Sequence, residues 1–183
     1  MELIFLNESD AESISEYIHD MWVDTYAPII KGGRQHAEDI FDDWVGPGRI
    51  RKDMSMGHFY AYPVKDGRIL GLMSAGKEGD ELFISKVYIA PEHRGEGYGS
   101  EAVKLVLDYG RARACKRAVL EVNPKNENAK RFYSGLGFKK VGVREYESGA
   151  YTDLMVVAGR RPSVVKFILC GASSHRRPFR RPQ

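Results

Sequence analysis

Cysteine is scarce in this 183-residue chain, with only Cys115 and Cys170, far apart in sequence. That excludes a disulfide scaffold and a cysteine-based zinc site, and both are read as reduced thiols. The five histidines show no ligand spacing either, so no metal is expected. Apolar runs are short, none approaching the roughly twenty residues of a membrane span, and the acidic start MELIFLNESD is not a secretory signal. No nucleic-acid or membrane partner is expected, and the reading is of a cytoplasmic protein. Internal repeats and interdomain linkers are absent. Residues 1–158 therefore read as one domain, long enough to bury a substantial core.

Charge is unevenly distributed. The net charge is +3, yet the segment 159–183 holds seven basic residues (Arg160, Arg161, Lys166, Arg176, Arg177, Arg180, Arg181) and no acidic one. Setting it aside leaves 21 basic against 25 acidic residues, so the body is acidic. The ending SSHRRPFRRPQ has no helical or strand period. It reads as a disordered or non-native extension rather than a nucleic-acid arm, with Val164–Leu169 able to form a short strand or an oligomer contact.

Periodicity gives a mixed order of elements. Glu2–Leu6 reads as a strand, followed by a helix capped by Ser9 or Asp10 with Ile14, Ile18, Met21 and Trp22 at helical spacing. Gln35–Val45 reads as a second helix, closed by Gly46-Pro47-Gly48. Phe59–Val64 and Ile69–Gly76 flank Lys65-Asp66-Gly67-Arg68, a hairpin signal, and Glu81–Ile89 follows after a second turn. Then come a helix over Glu101–Tyr109, a strand at Ala118–Val122, a short helix over Glu127–Leu136 stopped by Gly137, and a hairpin of Phe138–Tyr146 with Tyr151–Ala158. The class is α/β of the α+β kind: a mixed, mostly antiparallel sheet flanked by helices.

The most informative stretch is VYIAPEHRGEGYGS, residues 87–100. A strand stops at Pro91, glycines fill positions 95, 97 and 99, and a helix follows. Such a turn offers unpaired backbone N–H groups at the positive end of a helix dipole, beside Arg94, and glycine lets an anion approach them. A plain tight turn would share the pattern. A dinucleotide-binding loop is disfavoured because it normally follows the first strand, and a P-loop is excluded because no Gly-Lys-Ser/Thr closes the segment.

Downstream, Asn126-x-x-Ala129-x-x-x-Tyr133 leads to Gly137-Phe138-Lys139. With Arg94-x-x-Gly97-x-Gly99, at a separation that holds one helix and one strand, this resembles the GNAT superfamily of acyl-coenzyme A N-acyltransferases over about residues 80–140. The early helices and the strand from Tyr151 to Met155 resemble its bacterial polyamine N-acetyltransferase branch. The resemblance implies a sheet whose fourth and fifth strands splay to admit the pantetheine arm of acetyl-coenzyme A (acetyl-CoA). Val87 and Ile89 would then offer main-chain hydrogen bonds to the arm, with Tyr88 on the opposite face. The N–H groups of Gly95, Glu96, Gly97, Tyr98 and Gly99, with Ser100 and Arg94, would hold the pyrophosphate, and Asn126 would touch the arm. Tyr133 would protonate the departing thiolate.

An amine acceptor arrives mostly as ammonium, so a base is needed. Relatives place a glutamate in the strand before the loop. Here Glu81, beside Asp80, is the nearest carboxylate, with Glu121 a second candidate. Lys86 is read as lying along the sheet face. Trp22, Thr25 and Tyr26, with Asp24 and Glu38, are candidate walls of the amine pocket, although Trp22 also suits a core position. The implied activity is acetyl transfer from acetyl-CoA to a primary amine such as a polyamine, in a ternary complex. A protein or peptide acceptor and a non-catalytic acyl-CoA-binding regulatory module remain open, as does a homodimer, common in the superfamily.

Overall fold

The computed structural model describes residues 1–146 and 151–158; the basic segment 159–183, and with it the strand reading of Val164–Leu169, lies outside the described residues. Among the described residues eight strands form one sheet: β1 (Glu2–Phe5), β2 (His58–Lys65), β3 (Arg68–Ile69), β4 (Gly71–Glu78), β5 (Glu81–Ile89), β6 (Arg117–Val122), β7 (Lys139–Glu145) and β8 (Tyr151–Ala158). Their order is β1-β2-β4-β5-β6-β8-β7, with β3 paired to β2, and every pairing is antiparallel except β5 with β6. A parallel pair needs a crossover. Helix α4 (Tyr98–Ala112) lies within it.

Two apolar cores sandwich the sheet. On one face α4 contributes buried Ala102, Val103 and Val106, while α5 (Glu127–Gly135) lays Ala129, Phe132 and Tyr133 against Ile84, Leu120 and Phe138. On the other, α1 (Ala11–Tyr26) presents Ile14, Ile18 and Trp22 to Tyr60 and Leu72, and α2 (Gly33–Val45) adds Phe41 and Val45. These spacings of three, four and eight put an apolar stripe on one side of each helix. A third helix on this face, α3 (Pro47–Ser55), occupies a segment the sequence suggested was a helix-ending loop. Its Pro47 stands in the first turn, where a missing N–H costs nothing, and Ile50 is fully buried.

One irregularity of the sheet positions everything that follows. In the β4–β5 ladder Ser74 faces Lys86 while Ala75 faces Ile84, so Ser85 is an extra residue, a β-bulge. Its hydroxyl stays near β4, 3.0 Å from the hydroxyl of Ser74. At that same level the parallel pairing ends: β5 and β6 are in register only from Glu81 and Arg117 to Ile84 and Leu120. Beyond it β5 stays with β4 as far as Ile89, and β6 stays with β8 as far as Val122. The two central strands therefore part like a V.

Candidate active site

The V opens into a cleft of about 740 Å³, walled by the upper half of β5, the end of β6, the loop into α4, α5 and the last turn of α1. Backbone direction inside it follows from the ladder. Ala90 donates to the Leu70 carbonyl at 2.9 Å. Because an antiparallel strand turns alternate residues to alternate sides, the N–H and C=O groups of Val87 and Ile89 face away from β4, into the cleft. The Tyr88 side chain packs beneath, with the core formed by α1 and Tyr60.

At the wide end the chain turns through Gly95 and Gly97, with φ of +85° and +78°, in the left-handed region that favours glycine. A Cβ built on either would meet nothing within 4 Å, so the space above them is open. Among the described residues the N–H groups of Gly95, Glu96, Gly97, Tyr98 and Gly99 donate to no protein acceptor, whereas Ser100 N–H is spent on the Gly97 carbonyl at 3.1 Å. Arg94 and Ser100 line the cleft, and Arg94 Nε donates to the Ile89 carbonyl at 2.9 Å, tying the turn to the strand end. Glu96 does not line it. A row of free amides at the start of a fifteen-residue helix, with an arginine alongside, fits a diphosphate. The open space over two left-handed glycines is the cradle it requires.

Asn126 lines the cleft and caps α5, its Oδ1 accepting from Ala129 N–H at 3.0 Å. That leaves its side-chain NH₂ as the group able to reach a ligand. Tyr133, one face of α5 further on, packs its ring against Phe132 and Phe138 at 5.0 and 5.6 Å, and lines the cleft. Burial, then the neighbouring Tyr26, pushes its phenol well above the usual range, so it holds its proton at neutral pH. Tyr26 closes the same cleft from α1, its phenol also raised by burial.

The candidate amine-pocket and base residues separate. Thr25 and Asp24 line the cleft, although the Thr25 hydroxyl donates to Met21 carbonyl at 2.7 Å and Asp24 is paired with Arg34. Trp22 does not: only 5 % exposed, it is a core residue that meets Tyr26 at a tilt and Phe41 edge-on. Glu38 is likewise away from the cleft, bound to His19 at 2.8 Å. Glu81 sits where β5 and β6 are still paired, held by Arg117, and four residues below the bulge it is roughly 13 Å from the opening. Its place is at the closed end, outside the cleft lining. Glu121, one residue before the end of β6, lines the cleft, and its side chain is only 10 % exposed. Lys86 points to the face covered by α1–α3, 3.9 Å from Asp53, and burial draws its ammonium down to about 8 against the opposing pull of Asp53. Asp53 is itself held by Tyr60 and Arg49, each at 2.8 Å.

Sequence reasoning missed the residues that dress Glu121. Thr152 from β8 donates to its Oε2 at 2.8 Å and the Tyr146 hydroxyl donates to the same oxygen. Arg144 from β7 brings Nη1 within 2.6 Å of Oε1. The local signal was present: Arg144 stands opposite Thr152 in the β7–β8 register, two residues from Tyr146. The pairing of that hairpin with β6 is what no local pattern reveals.

A family model described as "Acetyltransferase (GNAT) family" matches residues 15–138. Among curated proteins, an uncharacterized N-acetyltransferase of Mycobacterium tuberculosis is 36 % identical over 90 residues, 48 % of this chain and 57 % of that protein. N-acetyltransferase 8F1 of Rattus norvegicus is 32 % identical over 89 residues, 49 % of this chain and 37 % of the other. The chain thus spans little more than half the length of the mycobacterial relative. Among solved structures, the PaiA N-acetyltransferase of Thermoplasma acidophilum in complex with coenzyme A has a TM-score of 0.68 at 16 % identity, over 86 % of this chain and 99 % of that one. The ribosomal-protein-S18-alanine N-acetyltransferase of Escherichia coli gives 0.61 at 14 %, over 91 % and 99 %. At such identities the likeness is one of fold. With the family model covering two thirds of the sequence, the splayed strands and the glycine turn have a single reading: the chain belongs to the GNAT family of acetyltransferases.

Proposed function

We propose that the protein transfers an acetyl group from acetyl-CoA to a primary amine, with both substrates in the cleft together. The observation that carries this is the parting of β5 and β6 at Ser85, ending in five uncommitted amides with Tyr133 on the opposite wall. Acetyl-CoA supplies the acyl carbon as a reactive thioester. The outward-turned N–H groups of Val87 and Ile89 are donors for a carbonyl oxygen in the cleft, where loss of one such donor costs roughly 3–4 kcal/mol in other enzymes. As the C–N bond forms and the C–S bond breaks, Tyr133 gives its proton to sulfur. The proton lost by the amine passes towards Glu121, the one of the two candidate glutamates that lines the cleft.

A small cationic amine, of which a polyamine is the finer reading, fits the lining best. Glu121 and Asp24 supply negative charge on the acceptor side, and residues 1–158 are acidic as a whole. The test is thiol release from acetyl-CoA over a panel of amines, with coenzyme binding followed by calorimetry. Amine-dependent release supports the proposal. Tight coenzyme binding with no release above hydrolysis for any amine identifies a regulatory module instead.

A further inference from the structure

The two oxygens of Glu121 are treated differently. Oε2 is saturated by the hydroxyls of Tyr146 and Thr152, which fix the plane of the carboxylate. Oε1 is buried and accepts no hydrogen bond. Its neighbour is the Arg144 guanidinium, at 2.6 Å but out of hydrogen-bonding alignment, and 52 % exposed on its side chain. A nine-tenths-buried carboxylate therefore has one oxygen locked by neutral donors and the other faced by a cation that reaches in from the water. Charge-assisted bonds are the strong ones, and a buried carboxylate oxygen without an aligned donor is a costly group to leave so. The lock is braced in turn, since the Tyr146 ring meets Trp44 of α2 edge-on at 6.4 Å.

We propose that Arg144 is a built-in stand-in for the acceptor's ammonium group. It covers Oε1 of Glu121 from the β7 side, outside the cleft lining, and swings out to solvent when a cationic amine reaches Glu121 from the cleft. The inference rests on the cleft being an acceptor site, and it names Arg144 as a residue that sets acceptor affinity. Because Arg144 is half in water already, the exchange trades one ion pair for another and leaves no charge buried alone. An amine with little positive charge at working pH gains nothing at Oε1 and has to displace the arginine unaided, so the device selects for alkylammonium acceptors.

The test uses the full chain, with 1,4-diaminobutane as probe. Losing a competitor of half-exposed strength lowers the KM for the diamine about fivefold in Arg144→Gln, with the KM for acetyl-CoA held. Arg144→Lys restores the cation and returns KM towards wild type. In Glu121→Gln the diamine KM rises, and adding Arg144→Gln to it no longer lowers KM, the coupling expected of an Oε1 exchange. Calorimetry of the diamine with the coenzyme-loaded variants reads the same order without turnover. A protein that releases no thiol with any amine overturns the transferase reading, while tighter diamine binding by Arg144→Gln still upholds the exchange. An Arg144→Gln protein whose diamine affinity is unchanged or weaker overturns the exchange, whatever the activity, and makes Arg144 a structural tie.

Discussion

Replacing Tyr133 by Phe isolates one oxygen atom. The ring contacts with Phe132 and Phe138, at 5.0 and 5.6 Å, survive the change, so the position of α5 and the shape of the cleft are kept. What disappears is a phenol that burial holds in its protonated form across the neutral range. A positioned general acid contributes about 10²–10⁴-fold, and the lower end is expected where water can enter an open cleft. A loss of about 10²-fold in kcat corresponds to ~2.7 kcal/mol of barrier. The KM for acetyl-CoA stays within about twofold, since the proton moves only as the C–S bond breaks and contributes little to ground-state binding. The assay is thiol release at saturating diamine, with coenzyme affinity measured by calorimetry on the same preparation. A variant with wild-type kcat, or one whose loss lies entirely in coenzyme affinity, refutes the assignment of Tyr133 as acid.

Gly97→Ala forces a left-handed φ of +78° on a residue with a Cβ and fills the open cradle, so coenzyme affinity falls about tenfold and the thermal midpoint drops by a few degrees; unaltered affinity by calorimetry contradicts the pyrophosphate seat. Gly110→Val drives a side chain into buried Leu82, whose Cδ2 lies 2.7 Å from an added Cβ, and destabilises the fold by about 1–3 kcal/mol in chemical denaturation; a neutral result means that α4 shifts freely on the sheet. Lys86 gives a pH signature. Its folded value near 8 lies below the 10.5 of an exposed lysine, so between those limits the unfolded chain binds more protons, and stability relative to Lys86→Met rises with pH across that window. A flat or falling difference shows that Lys86 keeps its proton in the fold.

Much of this architecture was legible in the chain itself. Glu81–Ile89 and Tyr151–Ala158 read as strands with the bounds they have, because apolar density is high and turn residues flank each. The glycine turn was legible because positive φ and close approach select glycine directly. Helix α3 was not: Gly46-Pro47-Gly48 looks like a terminator, yet Pro47 starts a helix as readily as it ends one. The bulge at Ser85 left a faint trace in the shift from even positions, Leu82 and Ile84, to odd ones, Val87 and Ile89, on one face. Phe83 and Tyr88 fill the alternate positions with apolar groups and hide that change of phase. Which of Glu81 and Glu121 lines the cleft depends on where two strands stop pairing. That is a property of the assembled sheet, set by the bulge on one strand and by β8 capturing the other.

The most direct measurement is a crystal structure with acetyl-CoA bound. The expected complex has phosphate oxygens within about 2.7–3.2 Å of amide nitrogens between Gly95 and Gly99, and the pantetheine arm lying along Val87 and Ile89 in the gap between β5 and β6. Phosphates seated elsewhere, or an arm outside that gap, contradict it.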